Sequence, residues 1–179
     1  MADTPVLALG IDLSPRATGI AYLEERDRGR WSLRGYDVVK TVGPIEGAGD
    51  LSGIAERIRI LVEEVPRYWG AQVIGIETPI VGPNGRAAIA QAMLFGMLWT
   101  MIEPLGPLAV NPTSTKVAMT GRGNADKDAM VRLARGRLDG WPAKLCRRDE
   151  EAVADAAGVA LAAVRAERRA ELLGRAVLA

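Results

Sequence analysis

Residues 6–13 form an almost unbroken apolar run, too short for a helix and the right length for a strand buried on both faces. One charge interrupts it, the carboxylate of Asp12. Ser14-Pro15 turns the chain, and residues 18–23 predict a second strand paired with the first. Residues 30–41 carry Trp31, Leu33, Tyr36, Val38 and Val39 and predict a third, so the chain opens on an antiparallel meander. A Gly/Pro-rich loop spans residues 42–49. Asp50 is an N-cap by type for a helix in which Leu51, Ile54, Ile58, Leu61, Val62 and Val65 recur at helical spacing. Glu56, Arg57, Arg59, Glu63 and Glu64 make its solvated face, and Pro66 helps to end it. Residues 72–77 predict a fourth strand that again ends on a carboxylate, Glu77, before a Gly/Pro loop at 78–85.

The next stretch, residues 86–102, predicts a helix that is apolar on nearly every side. Such a helix must be covered all round, either deep in the domain or by a second copy of the chain. Pro104 and Pro107 end it, and residues 108–110 predict a short fifth strand. Asn111 opens a capped helix, a Gly-rich loop follows, and Asn124 is the expected N-cap of a helix carrying Arg132, Arg135 and Arg137. Residues 138–148 read as a turn-rich link with a small basic cluster, Lys144, Arg147 and Arg148. Asp149 then caps a strong helix over residues 150–165, in which Asp155 lies among Ala152, Val153, Ala156, Ala157, Gly158 and Val159. Asp155 therefore sits on or near the inward face, small neighbours allow close approach to a sheet, and Glu151 lies four residues earlier on that face. The expectation is one domain over residues 1–165 and a tail, 166–179, that is either a further helix or frayed.

Composition narrows the chemistry. A chain of 179 residues suits one domain with a substantial core, and a net charge of +1 confines any nucleic-acid surface to a local patch. There are no histidines, which removes catalytic triads and His-containing zinc sites, and a single Cys146 removes internal disulfides and thiolate clusters. The first residues lack a secretory pattern, and the stretch 87–102, with Gln91 and Thr100, is expected to fall short of a bilayer span. A soluble, cytoplasmic protein with no membrane partner is the expectation. Chemistry must come from carboxylates, lysines, arginines, hydroxyls or the lone thiol.

Asp12 and Glu77 occupy matching positions on two core strands, where like charges repel unless a cation sits between them. One such acid is accounted for by a paired core carboxylate; two are not. With Asp155 and Glu151 they make an acidic cluster of hard oxygen donors, suited to Mg²⁺ or Mn²⁺. Two such ions about 4 Å apart can activate water and stabilise the leaving oxygen of a phosphodiester. The order of acids, on the first strand of a meander, on the fourth strand and on a late helix, resembles that of the ribonuclease H-like nucleases. That implies an α/β fold, a five-stranded mixed sheet with helices on both faces. Lys116, Arg122 and Lys127 flank a loop and helix start whose free N–H groups suit phosphate, although a merely solvated basic loop has the same composition.

Residues 10–19 (GIDLSPRATG), 75–78 (GIET), Lys116 through the NADK of 124–127, and 155–162 (DAAGVALA) together resemble a RuvC-type Holliday-junction resolvase. The similarity spans residues 6–164. It implies a homodimer that cuts two opposing strands of a four-way DNA junction with two Mg²⁺ per active site, Mn²⁺ substituting. By motif position Asp12, Glu77 and Asp155 are metal ligands, with Asp12 bridging the two ions. Lys116 and Lys127 contact phosphates near the scissile bond, Lys127 stabilising charge that develops on the phosphate, and Arg16, Ile80 and Arg122 join them on the DNA surface. Two positions depart from the pattern. Ala152 stands where the family has an acid or His, so Glu151 is either the replacement fourth ligand or only a charge favourable at a helix start. Ile80 stands where many members carry an aromatic that probes the junction centre. The remaining alternatives are a ribonuclease or single-strand nuclease of the same fold, and a junction-binding protein with weak or lost catalysis. A sugar kinase or ATPase would need a second similar domain.

Overall fold

The computed structural model describes residues 5–27, 29–41, 44–45, 47–80 and 85–177. β1 (Leu7–Asp12), β2 (Ala17–Asp27) and β3 (Arg30–Lys40) form the expected antiparallel meander. β4 (Val73–Glu77) runs parallel to β1, and β5 (Leu108–Val110) parallel to β4. Among the described residues the sheet has six strands rather than five, in the order β5-β4-β1-β2-β3-β6. The addition is β6 (Leu138–Asp139), pairing parallel to Trp31 and Ser32 of β3 inside the stretch read as a link. Two residues carry no periodicity, so only the tertiary pairing makes them a strand.

Side chains alternate across β1, and the two faces are covered in different ways. Leu9, Ile11 and Leu13 pack with Ile20, Ile74 and Ile76 against α1 (Ala48–Trp69) and α2 (Gly85–Ile102). From α1 the row Leu51, Ile54, Ile58 and Val62 is buried there, as its spacing predicts. A fully buried side chain such as Ile58 contributes about 1.5–3 kcal/mol by leaving water.

On the other face lies α5 (Arg147–Val177), flanked by α3 (Pro112–Thr120) and α4 (Lys127–Arg137). Here backbone meets backbone. A Cβ on Gly10 would sit 2.0 Å from the Ala156 carbonyl oxygen, and one on Gly19 would sit 2.1 Å from that of Ala152. A Cβ on Gly75 would lie 2.8 Å from the Ala163 Cβ. Thus α5 crosses β2, β1 and β4 in turn, and glycine in each strand is what admits it.

Helix starts differ from expectation in two places. Asn111 caps α3 as predicted, its Oδ1 accepting from the Thr113 N–H at 2.8 Å. The cap of α4 is Asp126 instead of Asn124, its Oδ1 accepting from Ala129 N–H at 2.7 Å. Both residue types cap well, and sequence alone does not choose between them. α5 begins at Arg147, so Asp149 lies inside its first turn and takes the Lys40 ammonium at 2.7 Å. The helix runs unbroken through residues 166–177.

α2 leans on the domain through one row, Leu94, Leu98 and Ile102, and leaves Ile89 and Met93 exposed. By length and apolarity the segment Gly85–Leu105 (21 residues, mean hydropathy 1.3) could cross a membrane, contrary to the expectation that it falls short. Its buried row and the Gln91 side chain, which donates 2.8 Å to the Leu13 carbonyl, tie it to the sheet.

Candidate active site

The sheet register places the first two acids. Gly10-Ile11-Asp12 and Gly75-Ile76-Glu77 are near-twin tripeptides, paired Gly10 to Gly75 and Ile11 to Ile76. Each isoleucine enters the α1/α2 core, so each following acid alternates to the α5 face at the same strand end. α5 supplies the third. Ala152 lies on Gly19, the β2 partner of Asp12, and Ala156 lies on Gly10. Asp155, one residue before Ala156, is thereby held over the end of β1.

The three carboxyls share one electrostatic field. Burial pushes Asp12 well above the usual carboxylate range, and the charges of Glu77 and Asp155 push it further while Lys127 opposes. Glu77 is pushed up to about 7, chiefly by burial, with Asp155 adding and a Thr115 hydrogen bond and Lys116 opposing. Asp155 is also raised, by burial first and by Glu151, against Lys127 and Lys116. Among the described residues no three such groups close into a cage for one ion as they stand, in keeping with the mutual repulsion of uncompensated carboxylates. All three donors are hard oxygens, the chain has no imidazole, and this set fits a hard divalent cation.

The predicted basic residues divide. Lys116 on α3 and Lys127 at the start of α4 both act on the acids, so the structure brings them to the cluster. Arg122 is exposed in the loop between them, where its backbone N–H donates to Thr120 Oγ1 at 3.1 Å. Arg16 is exposed in the β1–β2 turn, and Ile80 is exposed just beyond β4. Glu151 borders the cluster but is engaged. Its carboxylate accepts from Arg147 Nε at 2.7 Å and lies 3.4 Å from Lys127 Nζ, and these cations hold it below the usual range, Arg147 most strongly. Ala152 is buried under β2.

Three positioning groups escaped the sequence reading. Thr115 is buried on α3 and bonds Glu77. Fully buried Thr18 clasps the β1–β2 turn, donating to the Ser14 carbonyl at 2.9 Å and accepting from Ser14 N–H at 3.2 Å. Gln91 satisfies the Leu13 carbonyl beside Asp12. Gln91 alone left a signal, as one amide in an apolar helix.

The acids at the ends of β1 and β4 and on the covering helix, in a six-stranded mixed sheet, define a ribonuclease H-like α/β domain. The chain is similar to RuvC in particular. The crossover junction endodeoxyribonuclease RuvC of Chlorobaculum parvum is 28% identical over 131 residues, covering 72% of this chain and 67% of that protein. RuvC of Thermus thermophilus in complex with Holliday junction substrate superposes with TM-score 0.70 at 24% identity, over 88% of this chain and 92% of that one. The yeast mitochondrial Holliday junction resolvase Ydc2 superposes with TM-score 0.61 at 13% identity, over 86% and 78%. No protein-family model matches the sequence. The resemblance to RuvC-type resolvases drawn from the motifs is borne out by these likenesses.

Proposed function

We propose that this chain is a structure-selective DNA endonuclease that cleaves four-way junctions by divalent-metal-dependent phosphodiester hydrolysis. The observation that carries the reading is the meeting of Asp12, Glu77 and Asp155 with Lys116 and Lys127 at one sheet end. That meeting occurs in a fold shared with a RuvC seen on its junction.

Asp12, Glu77 and Asp155 would hold two Mg²⁺, Mn²⁺ substituting, whose chemistry is to acidify water and neutralise charge on a departing oxygen. Burial of the three carboxyls makes them costly to ionise alone, so they favour a compensating cation. Lys127 sits where it can stabilise charge growing on the phosphate, and Lys116 where it can hold the neighbouring backbone. Thr115 fixes the Glu77 carboxylate. Glu151 holds Lys127 in place and, when that lysine turns to phosphate, would serve as a fourth ligand. Arg16, Arg122 and Ile80 are exposed, and in this reading they would meet the junction's arms and centre.

A second copy of the chain would cover α2, whose Ile89 and Met93 face outward and whose Phe95 stacks on Trp99 at 5.5 Å between centroids. A homodimer would present two sites to two opposing strands. Incubating the purified chain with end-labelled four-way junction, linear duplex and RNA, in Mg²⁺ and in EDTA, tests the reading. Junction-selective, Mg²⁺-dependent cutting is expected. Equal cutting of single strands or RNA would shift the assignment to the broader nuclease class, and junction binding without cutting would make it a binding protein.

A further inference from the structure

At the end of the sheet opposite the acids, a pocket of about 370 Å³ opens between the β2–β3 hairpin, β6 and the second half of α5. Its walls include Trp31, Leu138, Leu161 and Val164, and four arginines line it: Arg30, Arg137, Arg165 and Arg168. These guanidinium groups come from three separate stretches of the chain, β3, the end of α4 and one face of α5, and the fold brings them together. Arg168 is committed, since it pairs with the buried Glu25. Arg30 lies 3.8 Å from Asp139, a loose and exposed pairing. Arg137 and Arg165 are held differently. Each donates through Nη1 to a backbone carbonyl of α3, Arg137 to Met119 at 2.9 Å and Arg165 to Val117 at 3.2 Å. Among the described residues neither pairs with a carboxylate, so two positioned guanidinium groups keep uncompensated charge over an apolar floor.

We propose that this pocket is a docking site for an acidic peptide segment that carries a bulky apolar residue. The apolar floor takes the anchor, and the arginine rim takes flanking carboxylates, where planar guanidinium groups suit bidentate contact. The recess holds about one large side chain, and apolar anchors in such pockets dominate binding energy. A duplex backbone offers the rim its phosphates but has nothing to fill the floor. The site lies at the start of β1, and the acids lie at its end. A bound segment would therefore leave the carboxylate cluster uncovered.

A fluorescein-labelled acidic peptide with a central Leu-Phe pair, titrated into the full chain and followed by anisotropy, tests this. Saturable binding is expected. It should weaken at least tenfold when Leu-Phe becomes Gly-Gly and at least tenfold for the double variant Arg137→Gln/Arg165→Gln. Arg30→Glu changes an exposed rim residue whose ion pair to Asp139 is loose and exposed, so it should fold normally and still weaken binding several-fold. Junction cleavage by Arg30→Glu should be unchanged, which keeps the result separate from the nuclease reading. Wild-type affinity in both variants, or equal affinity for the Gly-Gly peptide, overturns the proposal. Displacement of the peptide by millimolar inorganic phosphate would reduce the pocket to a charge effect, and tighter competition by a single-stranded oligonucleotide would make it a nucleic-acid surface.

Discussion

The two faces of the sheet solve the same packing problem in opposite ways. Toward α1 and α2, large side chains interdigitate: Leu9, Ile11 and Ile76 meet Ile54, Ile58 and Leu98. Toward α5, glycines meet the helix backbone, with Gly10 under Ala156 and Gly19 under Ala152. The first face can absorb a lost methyl group by small side-chain shifts. At Gly10 and Gly19 the second has no side chain to move, so an added atom there displaces the helix. The acids lie on the unforgiving face. A cluster of like charges needs a frame that fixes each member, and backbone contact supplies it.

Gly10→Ala should have the largest effect, because the new Cβ falls 2.0 Å from the Ala156 carbonyl oxygen. The expected cost exceeds about 4 kcal/mol, enough to unfold a marginal domain, as thermal melts and soluble yield would show. A normal melting temperature for the Gly10→Ala variant would break the contrast between the faces. Asp12→Asn comes next and is expected to lower junction cleavage by about 10³-fold or more, roughly 4 kcal/mol of barrier, with junction binding retained in gel shifts.

The third test is pH. Glu77 ordinarily titrates at 4.5 and in the fold at about 7, so the folded state keeps its proton to higher pH than the unfolded chain. Stability from this group is whole below pH 4.5 and is lost as pH rises through about 7. In EDTA the melting temperature should therefore fall by several degrees over that window. Mg²⁺ should restore it at the upper end, and Glu77→Gln should flatten the slope. On the forgiving face, Ile11→Val should cost only about 0.5–1.5 kcal/mol by chemical denaturation and leave the cleavage rate within about twofold. Smallest of all, Glu151→Gln should raise the Mg²⁺ needed for half-maximal cutting about threefold, less than 1 kcal/mol. An unaltered metal dependence would leave Glu151 as the holder of Lys127 alone.

What the sequence made legible follows from how local each signal is. Asp12 and Glu77 stood out because each breaks a short apolar run, and Asp155 because it interrupts a small-residue helix face. The meander, α1 and α3 with its Asn111 cap follow from patterns of a few residues. β6 was invisible because two residues carry no period, and the α4 cap was misplaced because Asn124 and Asp126 are equally good caps. Thr115 looked like an ordinary helix residue, and only the docking of α3 on α5 brings it to Glu77. The arginine pocket had no signal at all, since Arg30 and Arg165 are far apart along the chain.

The crossing of α5 over the three glycines also sets a clock. Asp155 is added 143 residues after Asp12, so at about 5–20 residues per second a nascent chain spends roughly 7–29 s with its first acid and without its third. Until α5 docks, the glycine face of the sheet is bare and the strand register frames only Asp12 and Glu77. Contacts this distant in sequence form slowly. The site therefore comes into being in one step, when α5 docks, and a stalled or clipped chain that lacks α5 carries two of the acids without the chemistry.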